Sequence, residues 1–184
     1  VKCQMSNVKS NPNVKCQKYF IIRTSWLYGT GGKNFVDTIM SRSLEGQKIL
    51  KIVNDQFGLP TYTRDLAECV WRIIDRLDQL ESGVYHLTNS KIKSQKSKCN
   101  SKCKNYKKNP AGISWHEFAK EIFRQAKKLK IISAIPKIEP CASADFPRPA
   151  RRPKYSALIN TKLPALRDWR LALGDHLREK YNIK

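Results

Sequence analysis

Tyr19-Phe20-Ile21-Ile22-Arg23-Thr24-Ser25-Trp26-Leu27-Tyr28-Gly29-Thr30-Gly31-Gly32-Lys33-Asn34 is the stretch from which the fold is read. Three consecutive apolar residues, Phe20 to Ile22, predict a buried strand over Tyr19 to Ser25. A glycine turn follows, and then a helix from about Lys33 to Glu45 with Phe35, Ile39 and Leu44 on one face. Strand, turn and helix in that order put Trp26 and Tyr28 at the C-terminal edge of a parallel sheet, where α/β folds hold ligands. Trp26 as a plug of the core fits the same position. Gly29, Gly31 and Gly32 do not make the G-x-G-x-x-G spacing of a dinucleotide loop, and no acidic residue is suitably placed about twenty residues on. The turn is therefore read as a sharp bend into the helix.

Outward from that stretch the chain keeps alternating. Ile49 to Val53 reads as a short strand, and Thr63 to Leu80 as a helix with Leu66, Val70, Ile73, Ile74 and Leu77 at a 3.6-residue period. Gly83 to Leu87 returns as a strand with His86 half-buried. Ser114-Trp115-His116-Glu117 is a Ser-x-x-Glu capping box that opens a helix to about Ala126. Ile131 to Ile138 reads as extended before Pro140, and the proline-rich Phe146 to Pro153 as loop. A last helix is expected over Leu166 to about Tyr181, with Trp169, Leu173 and Leu177 inward. His116 and His176 are expected on helix surfaces.

The charge is unevenly placed. Of a formal +21, twelve lysines fall in two stretches without a single acidic residue, residues 1–18 and 91–112. Both use the same Lys, Ser, Cys, Asn and Gln alphabet, and the first contains the near-repeat Val1-Lys2-Cys3-Gln4 and Val14-Lys15-Cys16-Gln17. Such segments bury too little apolar surface to offset chain entropy and are expected to be disordered. They lack the interleaved aromatics that stack on single-stranded bases, which argues for solvated insertions over a nucleic-acid surface. The division that results is a leader at 1–18, folded parts at 19–90 and 113–184, and an insertion at 91–112.

A length of 184 residues with 40% hydrophobic residues suffices for one packed domain. No run approaches the roughly 18 apolar residues of a membrane span. The first residues lack the apolar core of a secretory signal, so the chain is expected to be cytoplasmic, and Val at position 1 suggests a partial chain. None of the seven tyrosines has a lysine four positions on, and no His pairs with a Ser or Cys in a triad pattern. Cys99-x-x-x-Cys103 with Cys3 and Cys16 could supply four thiolates, but the irregular low-complexity setting argues against a zinc site. Cys69 reads as a small packing residue. Arg151 and Arg152, between prolines, make a stiff cationic loop suited to phosphate oxygens or simply to solvent.

Seven ordered runs together are more specific than any one of them. Arg23-Thr24-Ser25-Trp26-x-Tyr28-Gly29, Lys33-Asn34-Phe35, Asp55-Gln56-x-Gly58-x-Pro60-Thr61, Asp65-Leu66-Ala67, Tyr85-His86-Leu87, Ser114-Trp115-x-Glu117-Phe118-Ala119 and Phe146-Pro147-x-Pro149-Ala150-x-Arg152-Pro153 resemble the dTDP-4-dehydrorhamnose reductases. These are extended short-chain dehydrogenase/reductases. The resemblance implies an α/β chain that is the C-terminal part of a Rossmann-like fold. The substrate-binding region would be present and the first part of the doubly wound sheet missing. The lysine-rich stretch stands where the family has a few residues.

What the resemblance implies chemically is reduction of a 4-keto sugar nucleotide with hydride from NADPH or NADH. The family's glycine loop and its proton-donating tyrosine and lysine lie upstream of Tyr19, so no position here inherits a catalytic role. The isolated chain is expected to be inactive, with a missing N-terminal half as its partner. On the substrate side, the resemblance places Ser25 and Trp26 beside the sugar and nicotinamide, with Thr24 and Ser25 toward the cofactor. It places Asn34 and Phe35 at the border of the dTDP-sugar, Gln56, Gly58, Pro60 and Thr61 around the nucleotide, and Arg151 and Arg152 at the diphosphate. Alternatives are another sugar-nucleotide reductase or epimerase, a non-catalytic subunit like the regulatory subunit of methionine adenosyltransferase, or a nucleic-acid-binding scaffold. Nothing in the sequence sets an oligomeric state.

Overall fold

The deciding stretch forms β1 (Phe20–Arg23), which pairs in parallel with β6 (Gly83–His86), Phe20 opposite Gly83 and Arg23 opposite His86. The computed structural model describes residues 18–90, 112–147, 149–150 and 152–183. Residues 1–17 and 91–111, with Arg148, Arg151 and Lys184, lie outside the described residues, and with them the expectations for the insertion, most of the leader and Arg151. Against the expected buried strand, β1 alternates: Phe20 and Ile22 are half-buried while Ile21 is 50% exposed. The reason is coverage: Ile21 points to the face opposite Phe20 and Ile22, and only their face is packed.

After β1 come β2 (Leu27–Tyr28), α1 (Phe35–Leu44), β3 (Ile49–Val53), β4 (Phe57–Gly58) and β5 (Thr61–Tyr62), then α2 (Thr63–Ile74). Beyond β6 lie β7 (Asn89–Ser90), β8 (Ile113–Ser114), α3 (Trp115–Lys128), β9 (Lys137–Cys141), β10 (Leu166–Asp168) and α4 (Trp169–Lys180). Pairs β2·β5, β3·β9 and β7·β10 are parallel like β1·β6, whereas β4·β8 is antiparallel.

Local chemistry sets the helix ends. Asn34 caps α1, its Oδ1 accepting from the Asp37 N–H at 3.0 Å. Ser114 and Glu117 close the expected capping box on α3, the Ser114 hydroxyl accepting from the Glu117 N–H at 3.1 Å and the Glu117 carboxylate from the Ser114 N–H at 2.8 Å. Lys127 and Lys128 sit in its last turn, where cations suit the helix dipole. The helix expected to reach Leu80 stops at Ile74, and a 3-10 turn follows at Leu77–Gln79. Lys18 Nζ donates to the carbonyls of Leu77, Asp78 and Leu80 and so closes this turn.

Two further expectations are corrected. The extended segment is not Ile131–Ile138 but Lys137–Cys141, running through Pro140 opposite Ile52. Proline is tolerated there because β9 pairs only with β3 among the described residues, so its other edge needs no donor. The residues from Leu166 are not helical at first: Leu166–Asp168 pairs with β7, and the helix starts at Trp169.

The core is centred on α3. Phe118, Ala119, Ile122, Phe123 and Ala126 pack with Val36, Ile39 and Met40 of α1, Leu50 and Ile52 of β3, and Trp169, Leu173 and Leu177 of α4. His116 and His176 are both buried, contrary to the surface placement expected from the sequence. His116 sits where its Nε2 reaches the Ile138 carbonyl at 3.4 Å, and His176 packs against the stacked pair Tyr28 and Tyr62.

Candidate functional site

Four of the quoted runs and Ser156, just beyond a fifth, meet at one point, and Trp26 is its centre. Its indole stacks on that of Trp115 with ring centroids 3.5 Å apart and planes 9° from parallel. Its Nε1–H donates to the Ser156 Oγ at 3.2 Å, and Phe35 packs against Trp115 at 4.7 Å between centroids. Gly58 is the close neighbour: a Cβ there would stand 2.3 Å from Trp26 Cε2 and 2.5 Å from its Nε1. Gly112 in turn lies against Gly58, where a Cβ would be 2.4 Å from the Gly58 carbonyl oxygen. Trp26 itself has φ of +49°, a left-handed conformation that costs a bulky residue about 1–2 kcal/mol and is held only where the surroundings impose it.

The neighbouring site residues fall into place around this cluster. The Ser25 hydroxyl donates to the Leu59 carbonyl at 3.1 Å, and the Thr61 N–H donates to the Trp26 carbonyl at 3.1 Å. The hydroxyls of Thr24 and Thr61 are enclosed without a hydrogen-bond partner among the described residues. Asn34 Nδ2 donates to the Gly29 and Gly32 carbonyls at 3.0 and 3.1 Å, so its amide braces the glycine turn. Gly31 at the tip has φ of +90°, as the sharp bend requires. Pro60 is buried between β4 and β5.

A second polar group stands beside the cluster. Gln56 Nε2 donates to the Ser143 Oγ at 2.9 Å, and Asp55 accepts from both the N–H and the hydroxyl of Ser143. These bonds hold the Asp55 carboxyl below its ordinary range, with the Ser143 hydroxyl the largest cause. The segment after the prolines is fastened to β4: the Phe57 N–H donates to the Lys154 carbonyl, the Ser156 N–H to the Phe57 carbonyl, each at 2.8 Å. The Phe57 and Tyr155 rings stack at 5.5 Å. Arg152 leads into that segment, exposed and without an ion pair among the described residues.

Away from the cluster, a cleft of about 910 Å³ runs between α2 and residues 163–167. Its wall is a polar network: Arg167 grips both Asp65 oxygens at 2.8–3.0 Å, and Asn89 Nδ2 donates to Asp65 Oδ2 at 2.7 Å. Tyr62 donates to Glu179, and burial together with that carboxylate pushes its phenol up to about 12. None of the cluster residues lines this cleft. Among the described residues no three His, Cys, Asp or Glu side chains could hold a metal ion; Cys3, Cys16, Cys99 and Cys103 lie outside them.

Trp115, Ser156, Gly112 and Ser143 belong to this constellation although sequence reasoning gave them no site role. Trp115 and Ser156 stand inside or beside quoted runs, and the signal was there. The sequence could not say that Trp115 faces Trp26 across the domain.

Residues 7–182 match the family described as RmlD substrate binding domain. The spore coat polysaccharide biosynthesis protein SpsK of Bacillus subtilis is 33% identical over 164 residues, covering 87% of this chain and 47% of that protein. A dTDP-4-dehydrorhamnose reductase of Aggregatibacter actinomycetemcomitans is 32% identical, covering 85% of this chain and 49% of that protein. The crystal structure of dTDP-4-dehydrorhamnose reductase from Bacillus anthracis in complex with NADP superposes with a TM-score of 0.68 at 32% identity, covering 89% of this chain and 49% of that one. The chain thus spans about half the length of the curated relatives it matches.

Proposed function

The chain belongs to the RmlD substrate-binding domain family, and on that premise we propose that it is the sugar-nucleotide-holding part of a dTDP-4-dehydrorhamnose reductase. The reaction would reduce the 4-keto group of dTDP-4-dehydro-L-rhamnose, giving dTDP-L-rhamnose. The observation that carries the reading is the convergence of Trp26, Phe35, Gly58, Trp115 and Ser156, from five separate parts of the chain, on one aromatic cluster at the C-terminal end of β1. Sugar rings present C–H faces that pack on indole, and an α/β fold holds its ligand at this end of the sheet.

Trp26 is the wall against the sugar, with Ser25 beside it and Asn34 and Phe35 at the border. Gln56, Gly58, Pro60 and Thr61 shape the nucleotide side. The Arg152 guanidinium, free of carboxylates among the described residues, serves the diphosphate, with Arg151 next to it in sequence. Hydride would come from NADPH or NADH. The residues present do not make a cradle for a dinucleotide: there is no Gly-x-x-Gly-x-x-Gly run, and the glycine turn is tied to the Asn34 amide. No hydride or proton step is therefore assigned to this chain; Thr24, with its unpartnered hydroxyl, and Ser25 are its contribution toward the cofactor. The partner supplying those steps is the other half of the reductase fold. The setting proposed with this function is the cytoplasm. Separately, among the described residues no helix is long and apolar enough to cross a membrane.

The test is calorimetric titration of the chain with dTDP-L-rhamnose. Binding is expected, weakened about tenfold or more in Arg152→Ala, since a charge-assisted hydrogen bond contributes about 1.5–3 kcal/mol. Unchanged affinity in both Arg152→Ala and Trp26→Ala would sink the assignment. Alone, the chain should oxidise no NADPH in the presence of the keto sugar nucleotide.

A further inference from the structure

Trp26 does not stay in place by its own preference. Its backbone is left-handed, and it is only partly buried, packed against the rim of the core. Two side chains from distant parts of the chain fix it, and each governs a different freedom. Trp115, lying parallel at 3.5 Å, covers one face and sets the tilt of the ring. Ser156 takes the Nε1–H at 3.2 Å and sets its rotation within the plane.

Both restraints are themselves anchored. Trp115 is the first residue of α3, directly after the capping serine, and is backed by Phe35. Ser156 is tied through its N–H and its hydroxyl to the Phe57 carbonyl, at 2.8 and 3.2 Å. Gly58 and Gly112 leave the room this arrangement needs, each without a Cβ where one would collide.

We infer that Trp115 and Ser156 are positioning residues, which lock the Trp26 indole as a fixed wall of the sugar-nucleotide site. The inference rests on the function proposed above for that site. A mobile indole would lose its rotamer freedom each time a ligand packs on it, and that cost would weaken binding; an indole ordered beforehand avoids it. The same pinning makes the wall unable to yield, so the space beside it has one shape.

The experiment uses the full chain with dTDP-L-rhamnose as ligand, read by circular dichroism and by calorimetry. Two parallel indoles in van der Waals contact couple their transitions and give a paired positive and negative band in the far ultraviolet. Trp115→Ala and the milder Trp115→Phe should both remove that couplet. Trp115→Ala should weaken dTDP-L-rhamnose binding by about three- to tenfold, the range expected for freeing one side chain. Ser156→Ala should weaken it by a similar factor, and Ser156→Thr, which keeps the hydroxyl, should restore it. Loss of the couplet with unchanged affinity would reduce Trp115 to packing and overturn the inference, as would a Ser156→Thr variant no better than Ser156→Ala. If the unsubstituted chain shows the couplet but binds no dTDP-L-rhamnose, the proposed function fails and the positioning role falls with it. If the chain binds while the variants bind equally well, only the positioning role fails.

Discussion

Replacing Gly58 by Ala tests the geometry of the cluster without removing any group from it. The added Cβ would stand 2.3 Å from Trp26 Cε2, 2.5 Å from Nε1 and 2.8 Å from Cζ2, where carbon atoms need about 3.5–4.0 Å. Something must move by about 1 Å or more. The indole cannot slide freely, because Trp115 lies 3.5 Å away and Ser156 holds its N–H. Retreat of β4 is blocked on its other side, where Gly112 already packs on the Gly58 carbonyl. Overpacking of this kind costs about 1–3 kcal/mol. For a domain of this size each kcal/mol shifts the melting temperature by roughly 2–4 °C. Gly32→Ala is the control, since a Cβ there meets no atom within 4 Å, and it should stay within about 0.5 kcal/mol. Thermal unfolding followed by circular dichroism reads both stability and the indole couplet. Gly58→Ala melting with the unsubstituted chain, couplet intact, would show that Trp26 is not clamped as described.

Three other substitutions probe the frame around the site. Burial pushes the His176 imidazole below its ordinary value despite the opposing pull of Asp37 and Glu179, with Lys180 adding to the depression. With Nε2 facing Asp37 at 3.2 Å, its enclosed Nδ1 has no partner among the described residues to receive a second proton's bond. The unfolded chain therefore takes up a proton that the folded one declines, and stability falls as pH drops below about 6.5; melting temperature against pH should be flatter in His176→Gln over that window. Asp65→Ala strips the partner from Arg167 and Asn89, and should cost about 2–3 kcal/mol in urea unfolding, the lower range because Arg167 reaches solvent. Ser114→Ala loses the α3 cap and a hydroxyl donated to Asn54 Oδ1 at 2.8 Å; a fall of about 2 kcal/mol with an unchanged urea slope is expected.

Local signals were legible in the sequence wherever they were local in cause. The Ser114–Glu117 box, the 49–53 strand and the start of α2 follow from periodicity and capping, and the structure places them as expected. The misses are tertiary in cause. Nothing near Pro140 in sequence announces that a lone strand edge will accept it, and His176 gives no local sign that two tyrosines will enclose it. Thr63–Leu80 has an unbroken helical period, yet the helix ends at Ile74 and the chain turns again at Leu77–Gln79, where Lys18, 59 positions upstream of Leu77, binds it. At the site, Trp26 and Gly58 could be named from their runs. Their partners Trp115 and Ser156 are separated from Trp26 by 89 and 130 positions, and only the fold shows that they touch it.

The two ends of the structure differ in completeness, and the difference bears on what the chain can do alone. Around α3, apolar faces are mutually covered, and Phe118, Phe123 and Trp169 are almost wholly enclosed. Around β1 they are not. Ile21 is 50% exposed, and β1 offers an edge that no described strand occupies. An unoccupied edge beside apolar surface invites pairing with another chain. Relatives about twice as long carry a further half of their length, and a first half packed along β1 would cover that edge and bring its own residues to the Thr24 hydroxyl. The aromatic cluster draws on both regions, Trp26 following β1 and Trp115 opening α3. Under the function proposed above, such a chain would hold the ligand's sugar and phosphate from one side, and the reacting groups would come from that other half.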